Sequence, residues 1–399
     1  MKIRKNLLKI LCVLAAFGIT ASTYGLTIVP TWDNTIVTNA NAAAITNGIM
    51  FAIKTLQSNV LENVTVKVLF QATNNNVSFL GENSTWFVEP NYSSYLTALR
   101  SSATSVNDSN ALSQIPNNST DPLTGNNIID LQLPLARFFG FASGYGPDGF
   151  DSTLILRLPL LNLTRPPGDP SKYDLISVTE HELDEVLGFV SDLAFTYPSG
   201  PITPLDLFRY TTNSSPPFLS RSWTTSGDDA FFSVDGTNLL ARFNQNSSGD
   251  YNDWWSLSGH WAPPGATPHP QVQDAFGTPD TDPDLGSNEL AGLDVIGYTL
   301  AVPPPLLKIV LAGKNKFTLS WSSGSGYSLQ ENTNLLASGS WVNSATGTTN
   351  PAVIISTNVV KFYRLYKLLP PASLIAQSAT FQRSKNMVFQ KVRHVYNPN

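Results

Sequence analysis

The chain contains one segment whose residue types and spacing could bind a metal ion, His181-Glu182-Leu183-Asp184-Glu185-Val186-Leu187-Gly188. On an α-helix, positions i and i+4 project from the same face, so His181 and Glu185 could hold one ion between them. Imidazole nitrogen and carboxylate oxygen bind Zn2+ at similar distances, so both residue types are acceptable ligands. Glu182 would then lie beside the ion and act as general base on water whose pKa the metal lowers to about 7.

The position of Glu185 leaves the identity of the metal open. In H-E-x-x-H helices this position is a second histidine. A carboxylate makes the ion a weaker Lewis acid and shifts selectivity toward harder cations such as Mn2+ or Ca2+. Zinc is the first candidate, and other divalent metals are alternatives.

A simpler interpretation is that the helix exposes an acidic face, with Glu180, Glu182, Asp184 and Glu185 in solvent. Apolar residues at 175, 176, 178, 183, 186, 187 and 190 already supply a buried stripe at helical spacing. A solvated acidic face does not explain why a histidine lies within it.

A metal centre of this kind needs a third protein ligand. In the extended pattern H-E-x-x-H-x-x-G-x-x-H this ligand would stand at Ser191, and Asp192, which follows it directly, could bend toward the ion as an alternative. We predict Asp206 instead, because the chain after the helix is long enough to turn and return to the ion. The alternative role for Asp206 is a helix cap or an ion pair with Arg209.

Other candidate residues have an ordinary structural alternative. Tyr210 could stabilise an oxyanion or be a core tyrosine, and His260 and His269 could approach the metal or lie in a loop. His394 lies in a basic tail, where we expect no role. The segment with Asp280, Asp282, Asp284 and Asn288 resembles a calcium loop, but Gly286 comes one position late for that pattern, which favours a structural turn.

The amino terminus has the layout of a secretory signal peptide. Basic residues at positions 2, 4 and 5 precede an apolar run from Leu7 to Ile19, and we predict a signal peptide over residues 1–25. The only cysteine, Cys12, lies in that run, so no disulfide is expected. Removal of four basic residues with the signal peptide changes the formal net charge from −5 to −9, which argues against nucleic acid as a partner. We expect a secreted, extracellular monomer.

Proline content and periodicity divide the rest of the chain. We predict a domain over residues 26–300, a proline-rich linker at 301–305, a β-sandwich module at 306–369 and a disordered basic tail at 370–399. The first domain combines helices near Ala42–Leu56 and Tyr92–Ser102 with strands near Val64–Phe70, Ile128–Leu133 and Thr153–Leu158, so its predicted class is α/β (α+β). The module contains five short strand patterns separated by Gly, Ser and Asn turns, at Leu306–Leu311, Phe317–Trp321, Tyr327–Glu331, Val353–Ser356 and Phe362–Tyr366.

From Leu26 to Leu300 the chain resembles a family of secreted bacterial metalloproteases. The segments that carry the resemblance are Val29–Asp33, Tyr92–Tyr95, Ser101–Asp108, Asn162–Pro166, Leu205–Tyr210, Phe232–Gly236, Gly249–Trp254, Val272–Gly277 and Leu293–Tyr298, with H-E-x-D-E-V-L-G as the family's variant of the zinc motif. The resemblance implies a zincin-like, metzincin-like fold, with a mixed sheet, the active-site helix and a closing helix at Leu290–Tyr298. Residues Leu306–Lys367 resemble β-sandwich repeats of verrucomicrobial secreted proteins, which suggests a polymer or cell-surface ligand.

These observations lead to two hypotheses. In the first, the protein is a zinc metalloendopeptidase, in which His181, Glu185 and Asp206 hold the ion, Glu182 activates water and the substrate is a protein or peptide. In the second, it is a catalytically inactive zincin-like binding or adhesion protein at a cell surface, as the loss of the second histidine would allow.

Overall fold

The computed structural model describes residues 25–212, 220–225, 229–256, 270–301, 307–313, 316–321, 327–333, 341–344, 350–355, 361–366 and 390–398. The described parts of Tyr24–Ala301 and Phe381–Asn399 form one unit, and those of Val302–Thr380 form a second. The division between the units falls at the proline-rich run that we predicted as a linker. Positions 1–24 of the predicted signal peptide, His260 and His269 lie outside the described residues.

A seven-stranded mixed sheet forms the centre of the larger unit, in the order β1-β2-β5-β3-β18-β11, with β4 also paired to β3. The strands of this unit are β1 Thr27–Trp32, β2 Thr65–Thr73, β3 Gly81–Val88, β4 Leu131–Gln132, β5 Ser152–Arg157, β6 Leu161–Asn162, β7 Tyr173–Asp174, β8 Arg209–Tyr210, β9 Phe231–Phe232, β10 Ala241–Arg242, β11 Phe276–Gly277 and β18 Gln390–Pro398. Strands β1, β2 and β5 are parallel, whereas β3 runs antiparallel to β5. Along β2 the buried residues alternate with less buried ones, which is the period of a strand with one face on a core.

Eight α-helices are present among the described residues of the chain, together with 3-10 helices at Leu158–Leu160 and Pro204–Phe208. The α-helices are α1 Asn34–Val37, α2 Ala42–Asn59, α3 Tyr92–Ser102, α4 Val106–Gln114, α5 Leu133–Phe138, α6 Leu175–Leu187, α7 Leu193–Thr196 and α8 Ser287–Ile296. None of the helices in the described part of the chain is long and apolar enough to cross a bilayer. Helix α6 packs against α2 and against β3, which brings the His181 segment to the sheet.

Local sequence signals fix both ends of α6. Asp174 caps its first turn by accepting a hydrogen bond from the Ser177 backbone N–H at 2.7 Å. Gly188 ends the helix with φ of 117°, a left-handed conformation that favours glycine. Every residue of the helix is buried, so the polar side chains of the His181 segment are held inside the unit.

One predicted strand is shorter than expected. We expected a strand at Ile128–Leu133, but only Leu131–Gln132 pair with β3, and α5 begins at Leu133. Pro134 lies in the first turn of α5, where a missing backbone N–H costs nothing. Ile128 and Ile129 form isolated bridges with Asn91 and Ile202, so the predicted strand is divided into separate short pairings.

The smaller unit consists of two three-stranded antiparallel sheets. Its strands are β12 Lys308–Gly313, β13 Lys316–Ser320, β14 Ser328–Asn332, β15 Val342–Asn343, β16 Ala352–Ile355 and β17 Phe362–Tyr366. They pair in the orders β12-β13-β16 and β15-β14-β17. Leu319 and Ala352 from the first sheet and Leu329 from the second form one buried cluster, so the two sheets share a core.

The structure differs from our expectation of a disordered tail at residues 390–398. These residues form β18, which pairs antiparallel with β3 from Gln390 opposite Phe87 to Tyr396 opposite Gly81. The basic composition suggested disorder, but the open edge of β3 supplies backbone partners that composition does not reveal. Residues 370–389 lie outside the described residues.

Candidate metal centre

The side chain of His181 is oriented by a backbone carbonyl. Its Nδ1 lies 2.9 Å from the carbonyl oxygen of Val272, an acceptor, so Nδ1 carries the proton and donates. In a neutral imidazole the other nitrogen, Nε2, is then an acceptor, and Nε2 of Gln273 lies 3.4 Å from it. Histidine ligands of metals are commonly fixed in this way by an outer partner.

Two carboxylates also lie close to Nε2 of His181. Oε1 of Glu185 is 3.8 Å from Nε2, and Oδ1 of Asp253 is 3.7 Å from it. Two donors bound to one zinc ion at about 2.0–2.1 Å can be at most about 4.2 Å apart, so both pairs have separations that a shared ion permits. Glu182 belongs to the same group, because ligand atoms of His181, Glu182 and Glu185 lie within 4.8 Å of one another.

Three neutral amide side chains hold the carboxylates. Asn83, on β3, donates through Nδ2 to Oε2 of Glu182 at 2.9 Å and to Oε2 of Glu185 at 2.6 Å. Asn252 donates to Oε1 of Glu185 at 2.9 Å and to Oδ1 of Asp253 at 2.8 Å, and Gln273 donates to the same Asp253 oxygen at 3.0 Å. Amide groups orient these carboxylates without neutralising their charge.

The site concentrates negative charge away from solvent. His181, Glu182, Glu185 and Asp253 are each 0% exposed, so the interpretation of a solvated acidic face is wrong. Burial, followed by the charges of Glu182 and Asp253, raises the pKa of Glu185 well above its ordinary value. Burial and the charge of Asp250 do the same to the pKa of Asp253. A divalent cation would reverse both effects by stabilising the ionised carboxylates.

Buried oxygens at the site also favour a cation. Among the described residues, Oδ2 of Asp253, Oδ1 of Asn252 and Oε1 of Gln273 have no hydrogen-bond donor. Buried polar atoms are normally paired with protein or water, and each exception calls for an explanation. One nitrogen and several carboxylate oxygens form a donor set suited to zinc, so the residues fit a divalent metal.

Asp253 reaches the site on a loop that two other segments hold in place. The Asn244 N–H donates to the Asp253 carbonyl oxygen at 2.7 Å, and the Trp254 N–H donates to the Gln273 carbonyl oxygen at 2.7 Å. The Trp254 ring is buried and its Nε1 donates to Glu289 at 2.9 Å. Sequence reasoning noted Gly249–Trp254 and Val272–Gly277 only as family-like segments and assigned them no chemistry. The signal in the sequence that could have pointed to the site was an acidic residue in each segment, in Asp253-Trp254 and in Val272-Gln273-Asp274.

The structure does not bring Asp206 into this group. Its carboxylate accepts hydrogen bonds from the Ser191 hydroxyl and, at 3.0 Å each, from the N–H and hydroxyl of Thr203, so it caps the 3-10 helix. Burial raises the pKa of Asp206 to about 6, while the charge of Arg209 opposes the shift. Asp192 likewise points elsewhere, since it is hydrogen-bonded to Asp130, whose pKa burial and Asp192 raise to about 10.

The remaining candidates have structural partners. The Tyr210 hydroxyl accepts a hydrogen bond from Arg221 at 3.2 Å, as a buried core tyrosine would. Asp284 is paired with Arg165, and Asn288 donates to Gln271 at 2.8 Å. In the described ranges the one set of three ligand residues whose ligand atoms lie within 4.8 Å of one another is His181, Glu182 and Glu185, so the segment near Asp284 supplies no comparable set.

Gly81 provides the space in which Glu182 lies. A Cβ added at Gly81 would be 2.5 Å from Oε1 and 2.9 Å from Cγ of Glu182. We therefore expect Gly81→Ala to displace Glu182, to cost about 1–3 kcal/mol of stability and to lower any hydrolytic rate by about 100-fold. Chemical denaturation and peptide hydrolysis measure the two effects.

Gly144→Ala is the matched control, because an added Cβ at Gly144 meets nothing within 4 Å. It should change the unfolding free energy by no more than about 0.5 kcal/mol. Equal effects of the two substitutions on hydrolysis would contradict the role assigned to the space at Gly81.

A scan against protein-family models, a search of curated proteins and a search of solved structures each found no match for this chain.

Proposed function

We propose that the chain is a metal-dependent endopeptidase, with zinc as the metal, that hydrolyses peptide bonds in protein or peptide substrates. The observation that carries this proposal is the buried arrangement in which Glu185 and Asp253 lie 3.8 and 3.7 Å from Nε2 of His181, with Glu182 in the same group. His181, Glu185 and Asp253 are the proposed ligands, and Asp253 takes the role that the sequence suggested for Asp206.

The architecture supports a zincin-like fold for the larger unit. Helix α6 carries the histidine and both glutamates, and it packs against β3, the strand that runs antiparallel to β5. The shared core of Leu319, Leu329 and Ala352 supports a small β-sandwich for the second unit. The amino-terminal sequence pattern supports export.

Different residues of the chain would carry out separate parts of the reaction. A divalent ion held by His181, Glu185 and Asp253 would supply Lewis-acid chemistry for the scissile carbonyl and the attacking water. Glu182 takes the proton of the attacking water and delivers it to the leaving amine. Asn83 donates to Oε2 of Glu182 at 2.9 Å and so fixes the position of the carboxylate that would take the proton. The Val272 carbonyl fixes the proton of His181 on Nδ1, so Nε2 is the nitrogen that would bind the ion.

Metal content tests the proposal directly. We expect near-stoichiometric zinc in the protein purified without chelators, and loss of that zinc in His181→Ala, because the substitution removes the nitrogen donor. Elemental analysis measures both. Asp294→Asn is the control, since it removes a buried carboxylate that is bonded to Ser105 and Asn107 instead.

An absence of bound metal in the unaltered protein, even after zinc is added, would contradict the proposal. It would favour the catalytically inactive binding protein, whose ligand binding should be insensitive to chelators and to His181→Ala.

A further inference from the structure

Strand β18 covers one edge of β3. Seven consecutive residues, Gln390 to Tyr396, pair antiparallel with Phe87 to Gly81. The opposite edge of β3 is already paired with β5 over Gly81–Thr85. Without β18, β3 would present a row of unpaired N–H and C=O groups, which is a template for another extended chain.

The other edge of β18 pairs with the segment that orients His181. Asn397 and Pro398 pair in parallel with Phe276 and Gly277 of β11. The residues just before β11 include Val272, whose carbonyl binds Nδ1 of His181 at 2.9 Å. The strand therefore occupies a slot between β3 and Val272–Gly277, and both walls of this slot also build the candidate metal centre.

The pairing register shows which residue of β18 lies beside the candidate metal centre. His394 stands directly opposite Asn83. The Asn83 amide is the group that binds both Glu182 and Glu185. Helix α6, which carries these glutamates, also contacts β18. An extended chain that pairs with β3 in this register therefore runs directly beside Asn83, the residue whose amide binds both glutamates.

The interaction is of a kind that a separate peptide could reproduce. Strand addition takes its affinity from main-chain hydrogen bonds, so many extended sequences could occupy the same edge.

We propose that the C-terminal strand is an intramolecular peptide ligand that fills the slot along β3 and competes there with other extended peptide segments. A tethered ligand acts at an effective concentration on the order of millimolar, so a free peptide would bind the intact chain only weakly. Competition with substrate rests on the proposed peptidase function, whereas occupation of the slot by the strand does not.

Two adjacent prolines in β18 test the proposal in the full chain. Neighbouring N–H groups of a strand point to opposite edges, so Val392→Pro/Arg393→Pro removes one donor toward β3 whatever the hydrogen-bond phase. The probe is a fluorescein-labelled peptide with the sequence of residues 390–398, and its binding is measured by anisotropy in EDTA and in zinc. We expect the double variant to bind the peptide at least tenfold more tightly than the unaltered chain.

The control is Ser384→Pro/Lys385→Pro, which also introduces two prolines and removes one positive charge, but outside β18. It should bind the peptide as weakly as the unaltered chain. Equal peptide affinity in the two double variants would overturn the proposal.

Hydrogen exchange on the unaltered chain supplies a second measurement that does not depend on a variant. Every second amide of residues 390–396, those that point toward β3, should be protected, and exchange of these amides at the rate of an unfolded peptide would overturn the proposal. Hydrolysis of an unfolded protein is measured in parallel. If the Val392→Pro/Arg393→Pro variant binds the peptide but no form of the protein hydrolyses the substrate, the slot is supported and the peptidase function is refuted. Faster hydrolysis by this variant than by the unaltered chain would support both.

Discussion

Replacing Glu182 with glutamine should lower kcat for peptide hydrolysis by about 10²–10⁴-fold, because the side chain keeps its shape but can no longer accept a proton from water. Zinc content should be unchanged, since His181, Glu185 and Asp253 remain. The measurement is a progress curve on an unfolded, fluorescently labelled protein at saturating zinc, with elemental analysis of the same sample.

Glu62→Gln is a suitable control for this substitution. Glu62 is also buried, but it binds the backbone N–H of Thr299, and burial raises the pKa of its carboxyl. Its replacement should leave kcat within a few-fold of the unaltered protein. Undiminished hydrolysis by Glu182→Gln would refute the role of Glu182 as general base, whereas loss of both zinc and activity would indicate that Glu182 is itself a ligand.

The second large effect concerns Asp253. Loss of an outer partner of a metal ligand typically costs 10–100-fold in affinity, so removal of a direct ligand should cost more. We expect Asp253→Asn to weaken zinc binding by at least about 100-fold, as measured by competition with a chromophoric chelator. The amide retains the volume of the side chain but loses the negative charge beside Nε2 of His181.

Asp206→Asn is the matched control, because Asp206 is equally buried and was the ligand suggested by the sequence. It should lose stability through its cap at Thr203 but bind zinc as the unaltered protein does. The opposite result, with zinc lost from Asp206→Asn and kept by Asp253→Asn, would restore Asp206 as the third ligand and reject the present assignment.

Local signals carried most of the prediction of the fold. Helix α3 has the predicted bounds Tyr92–Ser102, and β17 has the predicted bounds Phe362–Tyr366. The mixed α/β class of the first domain and the β-rich second unit are also present. Such features depend on residues close together in the chain, where periodicity and turn residues are informative.

At the candidate site, the sequence identified the part that one helix holds. His181, Glu182 and Glu185 are brought together by helical spacing alone. Asn83 and Asp253 come from segments far from α6 in the chain, and only the pairing of strands and loops makes them neighbours. Asp206 looked suitable because an aspartate that caps a helix and one that binds a metal have the same residue type and similar local surroundings.

The position of β18 has a consequence for the architecture of the chain. The smaller unit is inserted between two parts of the larger one, since the larger unit resumes after it at Phe381–Asn399. Each doubling of the length of a connecting loop raises the entropic cost of closing it by only about 0.6 kcal/mol. The inserted unit therefore adds little to the cost of bringing Gln390 to Phe87, and the length of this insertion is free to vary while the last strand of the sheet still forms.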